Sequence, residues 1–89
     1  MKKNFYIVNK DSEILRTITS TSSKKGLSTL FNEVNVNEGF FFQNIHHDNG
    51  THIFREFNNS YIISHGSYSG ELKNKEDALV YLLNNISFE

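Results

Sequence analysis

The chain has 89 residues, enough for one domain and too few for two. Its 9 Lys and Arg against 10 Asp and Glu give a formal net charge of −1, so the chain as a whole is not attracted to nucleic-acid phosphates or anionic membranes. The absence of cysteine excludes disulfides, thiolate zinc sites, iron–sulfur clusters and cysteine nucleophiles and, in so small a domain, favours the cytoplasm.

The first residues begin like a signal peptide, with two lysines ahead of an apolar run. That run, residues 5–8, is shorter than the roughly 7–15 residues of a signal-peptide core, and a polar turn follows it. No apolar stretch approaches the ~20 residues that cross a membrane. The pattern therefore favours a first β-strand, and we expect no interaction with a membrane.

The first two predicted elements are strands joined in a hairpin. Residues 5–8 are apolar and β-prone, residues 9–12 are turn formers, and residues 13–19 give the second strand. Pairing Val8 with Glu13 sets apolar residues opposite apolar residues, which predicts the register of this hairpin.

The next predicted element is an amphipathic helix. Residues 21–23 are Thr-Ser-Ser, whose hydroxyls are typical helix N-caps. Behind them, apolar residues recur at helical spacing at Leu27, Leu30, Phe31 and Val34. This stripe predicts a helix of roughly three turns that packs on a sheet.

After this helix the pattern becomes that of a sheet. Three β-prone runs follow, at residues 40–46, 51–57 and 60–65. Residues 48–50 are Asp-Asn-Gly, which tolerate positive φ and predict a hairpin turn, and residues 58–59 predict a second, two-residue turn.

A predicted loop at residues 66–70 leads to the last helix. Asn74 can cap this helix, and Glu76 and Asp77 lie near its positive end. Its apolar stripe consists of Ala78, Leu79, Leu82, Leu83 and Ile86. The sequence thus predicts a single α+β domain over residues 1–89, of order ββαβββα, with an antiparallel sheet and two helices packed on one face.

Three histidines are predicted to form a row across the sheet. In the predicted register His46 faces His52, and His52 faces His65. The outer two backbones would be about 10 Å apart, whereas all three nitrogens of a zinc site must reach one ion at ~2.1 Å. We therefore predict a row of stacked rings, with no metal and no cofactor.

The chain shows no recognisable catalytic pattern. It has no Gly-x-Ser-x-Gly elbow and no phosphate-binding loop with its lysine, and Glu76 and Asp77 are explained by the start of a helix. We predict that the protein is not an enzyme.

Two helices can cover only one sheet face, so the other face is predicted to be exposed and aromatic. In the predicted register that face carries Phe40, Phe42, Phe54, Tyr61, Ile63 and His52. Exposed aromatic surface is typical of protein interfaces, so these are the predicted protein-binding residues. Two alternatives stay open: the N-terminal hairpin folds over this face, or a register slip of one residue exchanges the two faces.

The sequence predicts a small, cytoplasmic, non-enzymatic protein that docks on a larger protein as an inhibitor or modulator, or that forms a homodimer. The absence of Pro and the frequency of Asn, Lys and Ile suggest a phage or mobile element, whose small proteins often act against host defence. The alternative is a nucleic-acid-binding module, because from residue 23 the chain resembles double-stranded RNA-binding domains in element order. Its phosphate contacts would be Lys24, Lys25, Lys73 and Lys75.

Overall fold

A computed structural model describes residues 2–44, 47–86 and 88, without the side chains of residues 44 and 47–49. Its elements are β1 (Lys2–Asn9), β2 (Ile14–Thr21), α1 (Lys24–Asn32), β3 (Glu38–Asn44), β4 (His47–Arg55), β5 (Tyr61–His65), β6 (Tyr68–Leu72) and α2 (Lys75–Asn85). The strands form one antiparallel sheet in the order β2-β1-β3-β4-β5-β6. The predicted α+β class is confirmed.

Both helices begin at the predicted caps. The Ser23 hydroxyl accepts a hydrogen bond from the Gly26 amide at 3.2 Å, and the Asn74 side-chain oxygen accepts one from the Asp77 amide at 2.9 Å. Each cap satisfies an amide that the first helical turn leaves without a partner. In α2 the acidic Glu76 and Asp77 also lie in the first turn, where the helix dipole favours negative charge.

The core lies between the two helices and one sheet face, which we call the helix face. The buried cluster contains Phe5, Ile7, Leu27, Leu30, Phe31, Val34, Phe40, Phe42, Ile53, Tyr61, Ile63, Ala78, Leu79, Leu82 and Ile86. All four predicted positions of the α1 stripe are in this cluster. In α2 the predicted stripe is correct except at Leu83, which is 38% exposed.

The predicted turn between β3 and β4 is wrong. Residues 48–50 lie inside β4, where Gly50 has a φ of 73°. The register shifts between Phe42 and Asn44, so the positive φ belongs to a β-bulge. As a result His52 has Phe41 as its partner on β3, whereas the predicted register gave it His46.

The predicted turn between β4 and β5 is one residue too short. Arg55 pairs with Tyr61, the Glu56 amide donates to the Ser60 carbonyl at 2.9 Å, and Asn59 adopts a φ of 66°. The Arg55 guanidinium fixes this turn by donating to the Asn59 side-chain oxygen at 2.6 Å. Side chains alternate between the two faces of a strand. With β4 held fixed, a register shift of one residue therefore places every β5 side chain on the face opposite to the predicted face.

Two further differences concern the sheet edges. The first hairpin has the predicted polar turn, but its predicted register is wrong. Val8 pairs with Ile14 and not with Glu13, and a bulge separates this pair from the pair of Ile7 with Arg16. The predicted loop at residues 66–70 instead turns at Gly66, which has a φ of 55°, and continues into β6. The sheet therefore has a sixth strand, with β2 and β6 as its edges.

Within the described residues, no helix is long and apolar enough to cross a bilayer.

Candidate protein-binding face

The sheet surface opposite the helices is built from two rows of cross-strand neighbours. Residues paired across adjacent strands share a face. The first row consists of Thr17, Tyr6, Phe41, His52, Ser64 and Ser69. The second row consists of Ile14, Val8, Gly39, Phe54, Ile62 and Glu71. We call the surface formed by these two rows the open face.

Three rings are stacked along the first row. The Tyr6 and Phe41 centroids are 5.0 Å apart with planes inclined by 29°, and the Phe41 and His52 centroids are 5.2 Å apart with planes inclined by 21°. Rings this close and this nearly parallel cover each other's faces, in the offset arrangement that aromatic pairs prefer. Phe41, between the other two, therefore has part of each ring face covered by a neighbouring ring.

The second row is closely packed around Gly39. Val8 is only 6% exposed although no helix lies on this side, so its neighbours on the open face cover it. Gly39 stands between Val8 and Phe54, and a Cβ atom at this glycine would lie 3.0 Å from the Phe54 Cα. The close approach of β3 to β4 at this point therefore requires glycine.

The open face is apolar at its centre and carries little charge. Tyr6, Phe41 and Phe54 are partly exposed, while Ile62 is 37% and Ile14 57% exposed. In the two rows that define this face, Glu71 is the one residue with a formal charge, and its carboxylate accepts a hydrogen bond from the Ser60 hydroxyl at 3.1 Å. The polar neighbours in these rows are chiefly hydroxyl-bearing, at Thr17, Ser64 and Ser69. Such a surface offers apolar contact and neutral hydrogen bonds.

Of the predicted protein-binding residues, His52 and Phe54 lie on the open face. The predicted exposure of the other four is wrong, because Phe40, Phe42, Tyr61 and Ile63 are buried beneath the helices. The cause is the register of the two hairpins, in which Phe40 faces Ile53 and Phe54 faces Ile62.

The residues predicted to be exposed did not include Phe41, Ile62 or Tyr6, which also lie on the open face. Residues 40–42 are three consecutive phenylalanines, so no polar residue indicates which of them face the core. The available signal was Tyr6, whose place between the buried Phe5 and Ile7 marks the outward side of β1.

The predicted histidine row does not form as proposed. His52 lies on the open face, opposite Ser64, whereas His65 lies on the helix face, opposite Thr51. His46, the third member, lies outside the described residues. In the described part of the chain no group of three or more His, Asp or Glu side chains is placed to hold a metal ion.

A hydrogen bond joins His65 of β5 to Tyr81 of α2. The His65 Nε2 atom is 2.7 Å from the Tyr81 hydroxyl, and the Tyr68 ring stacks on Tyr81 with centroids 5.6 Å apart and planes inclined by 15°. Burial, together with the nearby Tyr68 hydroxyl, raises the pKa of Tyr81. The phenol therefore stays protonated at neutral pH and can donate to His65. These contacts attach β5 and β6 to the last helix.

Three of the four lysines of the nucleic-acid alternative are divided between the two ends of α1. Lys24 and Lys25 begin α1, where they share an open groove of about 470 Å³ with Glu76. The Lys75 ammonium donates to the Asn32 side-chain oxygen at 2.6 Å, at the other end of α1. With nine residues in α1, these two places are about 12 Å apart along the helix axis. Lys24 and Lys25 therefore lie at one end of α1, beside the acidic Glu76, and Lys75 lies at the other end.

No protein-family model, curated protein or solved structure matches this chain. A function must therefore be inferred from the residues of this chain. Among them, the open face combines exposed apolar side chains, stacked rings and little charge on neighbouring strands.

Proposed function

We propose that the protein is a non-enzymatic binding domain that docks on a larger protein through its open face and acts there as an inhibitor or modulator. One observation carries this proposal. Both helices pack on the same side of the sheet, and in the described part of the chain no second layer covers Phe41, Phe54 and Ile62. Apolar side chains grouped on one surface gain free energy when another surface removes them from water.

The chemistry of the open face favours a protein partner over a nucleic acid. Protein interfaces are depleted of charge at their centre and enriched in Tyr and Phe, as is this face. Single-stranded nucleic acids need exposed ring faces for stacking and cations for their phosphates. The Tyr6, Phe41 and His52 rings are stacked on one another, and Glu71 would repel a phosphate. The nucleic-acid alternative gains no support from the separation of Lys24 and Lys25 from Lys75.

The setting of this activity is part of the same proposal. A short chain without cysteine suits the cytoplasm, and its composition suits a phage or a mobile element. In such a setting a small domain can act by occupying a surface that a host protein needs. This mode of action requires surface complementarity and no chemistry of its own.

The test compares two exposed apolar residues on opposite sides of the domain. Ile62, on the open face, is 37% exposed, and Val80, on α2, is 44% exposed, so replacing either with lysine makes a similar chemical change at a similarly exposed position. Tagged wild-type protein is first used to isolate its partner from the native host. The dissociation constant for the purified partner is then measured for the wild type, Ile62→Lys and Val80→Lys.

We expect Ile62→Lys to weaken binding at least about tenfold, or ~1.4 kcal/mol, because the interface would have to desolvate an ammonium group. Val80→Lys should bind like the wild type, and both variants should keep the wild-type circular dichroism spectrum. Equal losses in the two variants, or a loss in Val80→Lys alone, would contradict docking through the open face. Recovery of a nucleic acid whose binding weakens steeply with salt would favour the alternative.

A further inference from the structure

The two edges of the sheet differ in how well they are protected against pairing with another strand. Proteins usually block such edges with short strands, lysines or prolines. β6 has five residues, including Gly70 and Glu71. β2 has eight residues with no Lys and no Pro, and from Arg16 to Thr21 it pairs regularly with β1. The outer side of β2 is therefore the more available edge.

The single charge of β2 does not block this edge. The Arg16 guanidinium donates to the Glu33 carbonyl at 2.6 Å and to the Glu38 carboxylate at 3.2 Å. Its head group is thus held over the helix face, beyond the end of α1. The rest of the regular segment consists of Thr, Ile and Ser, and β-branched residues favour an extended backbone.

We propose that β2 pairs antiparallel with β2 of a second copy of this chain, which joins the two sheets edge to edge. A two-fold axis at Ile18 places Thr17 opposite Thr19 of the second copy, and Thr19 opposite its Thr17. This register keeps both helix faces on one side and both open faces on the other. Cross-strand threonine pairs stabilise a sheet, and no like charges stand opposite each other.

The charges at the two ends of β2 support the antiparallel arrangement. Residues 10–13 precede the strand and carry one Lys, one Asp and one Glu. At the other end Lys24 and Lys25 begin α1, and Lys2 lies opposite Thr21. An antiparallel pair brings the acidic end of each copy beside the basic end of the other, twice. A parallel pair would instead bring like ends together.

The basic end also has a groove. An open groove of about 290 Å³ is lined by residues that include Lys2, Thr21 and Lys25. In the proposed register Leu15 of the second copy stands opposite Thr21, at the mouth of this groove. Leu15 is 47% exposed in the single chain, so pairing would remove part of this side chain from water.

The test is the oligomeric state of the full chain and of edge variants, measured by sedimentation equilibrium. The protein concentration runs from about 10 μM to 1 mM, because a small edge contact is expected to bind weakly. Thr17→Lys/Thr19→Lys changes two exposed residues and sets ammonium groups opposite each other across the two-fold axis. The matched control, Ser67→Lys/Ser69→Lys, introduces two lysines at exposed positions, one just before β6 and one within it.

We expect the wild type to dimerise, Thr17→Lys/Thr19→Lys to raise the dimer dissociation constant at least about tenfold, and the control to behave like the wild type. An equimolar mixture of Thr17→Lys/Thr19→Lys with Thr17→Glu/Thr19→Glu should dimerise where each variant alone is monomeric. A wild type that is monomeric throughout the range, a dimer that the β2 lysines leave unchanged, or a mixture that stays monomeric would each overturn the proposal. Ile62→Lys should dimerise normally, so failure of this proposal is distinguishable from failure of the open face as a docking site.

Discussion

Aromatic side chains pack differently on the two faces of the sheet. On the helix face Phe31 meets Phe40 and Tyr61 edge to face, with planes inclined by 85° and 84°, so each ring is enclosed from several directions. On the open face Tyr6 and Phe41 are nearly parallel, and their contacts run along the row. Enclosed rings stabilise the fold by themselves. A single layer of stacked rings gains its full burial only when another molecule covers it.

The largest effect expected from this comparison is at Phe40. Phe40→Ala should lower the free energy of unfolding by ~3–5 kcal/mol. The substitution leaves a cavity among buried rings, and nothing replaces the contacts that these rings lose. Urea unfolding followed by circular dichroism measures the loss. A loss below about 1 kcal/mol would mean that Phe40 is not enclosed as described.

The adjacent Phe41 should behave in the opposite way. Phe41→Ala should cost only about 1–2 kcal/mol of unfolding free energy, since the ring is already partly in water. Binding of the partner should weaken at least about tenfold, because the centre of the open face loses an aromatic contact. If Phe40→Ala and Phe41→Ala destabilise the protein equally, the two faces do not differ as proposed.

A smaller effect is expected at Tyr81, the α2 residue that is hydrogen-bonded to His65. Tyr81→Phe should lower the unfolding free energy by about 1 kcal/mol at neutral pH, because the bond to His65 is lost. The pKa of Tyr81 is raised by burial and by Tyr68, which favours the neutral phenol in the folded state. The corresponding stability is complete below the ordinary tyrosine pKa of 10.0 and is lost as the pH rises through the higher folded-state pKa.

The pH dependence provides the control for this variant. In Tyr81→Phe the fall in stability above pH 10 should be smaller than in the wild type, but it should not vanish, because burial also raises the pKa of Tyr61. Denaturation midpoints between neutral and strongly alkaline pH measure both curves. Parallel curves for the two proteins would show that Tyr81 does not titrate with unfolding.

Local signals in the sequence were sufficient for the helices and for the fold class. Ser23 and Asn74 cap the helices as predicted, because a capping side chain acts on amides only a few residues away. The apolar spacing of α1 likewise identified its buried side. These features depend on neighbours in the chain, and a single sequence displays them directly.

The division of residues between the two faces depended on hairpin register, which the local signals did not determine. Gly50 has the positive φ expected of it, but this glycine lies in a bulge within β4 and not in a turn. Asn59 also has a positive φ, in a turn that is one residue longer than predicted. Three consecutive phenylalanines at residues 40–42 removed the polar alternation that would have corrected the register. β6 was missed because its Ser and Gly residues have low strand propensity, and pairing with β5 overrides that preference.

The strand order has a consequence for how the chain folds. Neighbouring strands are joined by short connections, except for β1 and β3. These two strands pair through residues such as Ile7 and Phe40, although β2 and α1 lie between them in the sequence. The Phe5 contacts with Phe40 and Phe42 lie at this same junction. Local hairpins close quickly, whereas distant segments must first overcome the entropy of a long loop. We therefore expect the β3–β6 meander and the N-terminal hairpin to form before their union through β1 and β3, which would be the slowest step in completing the sheet.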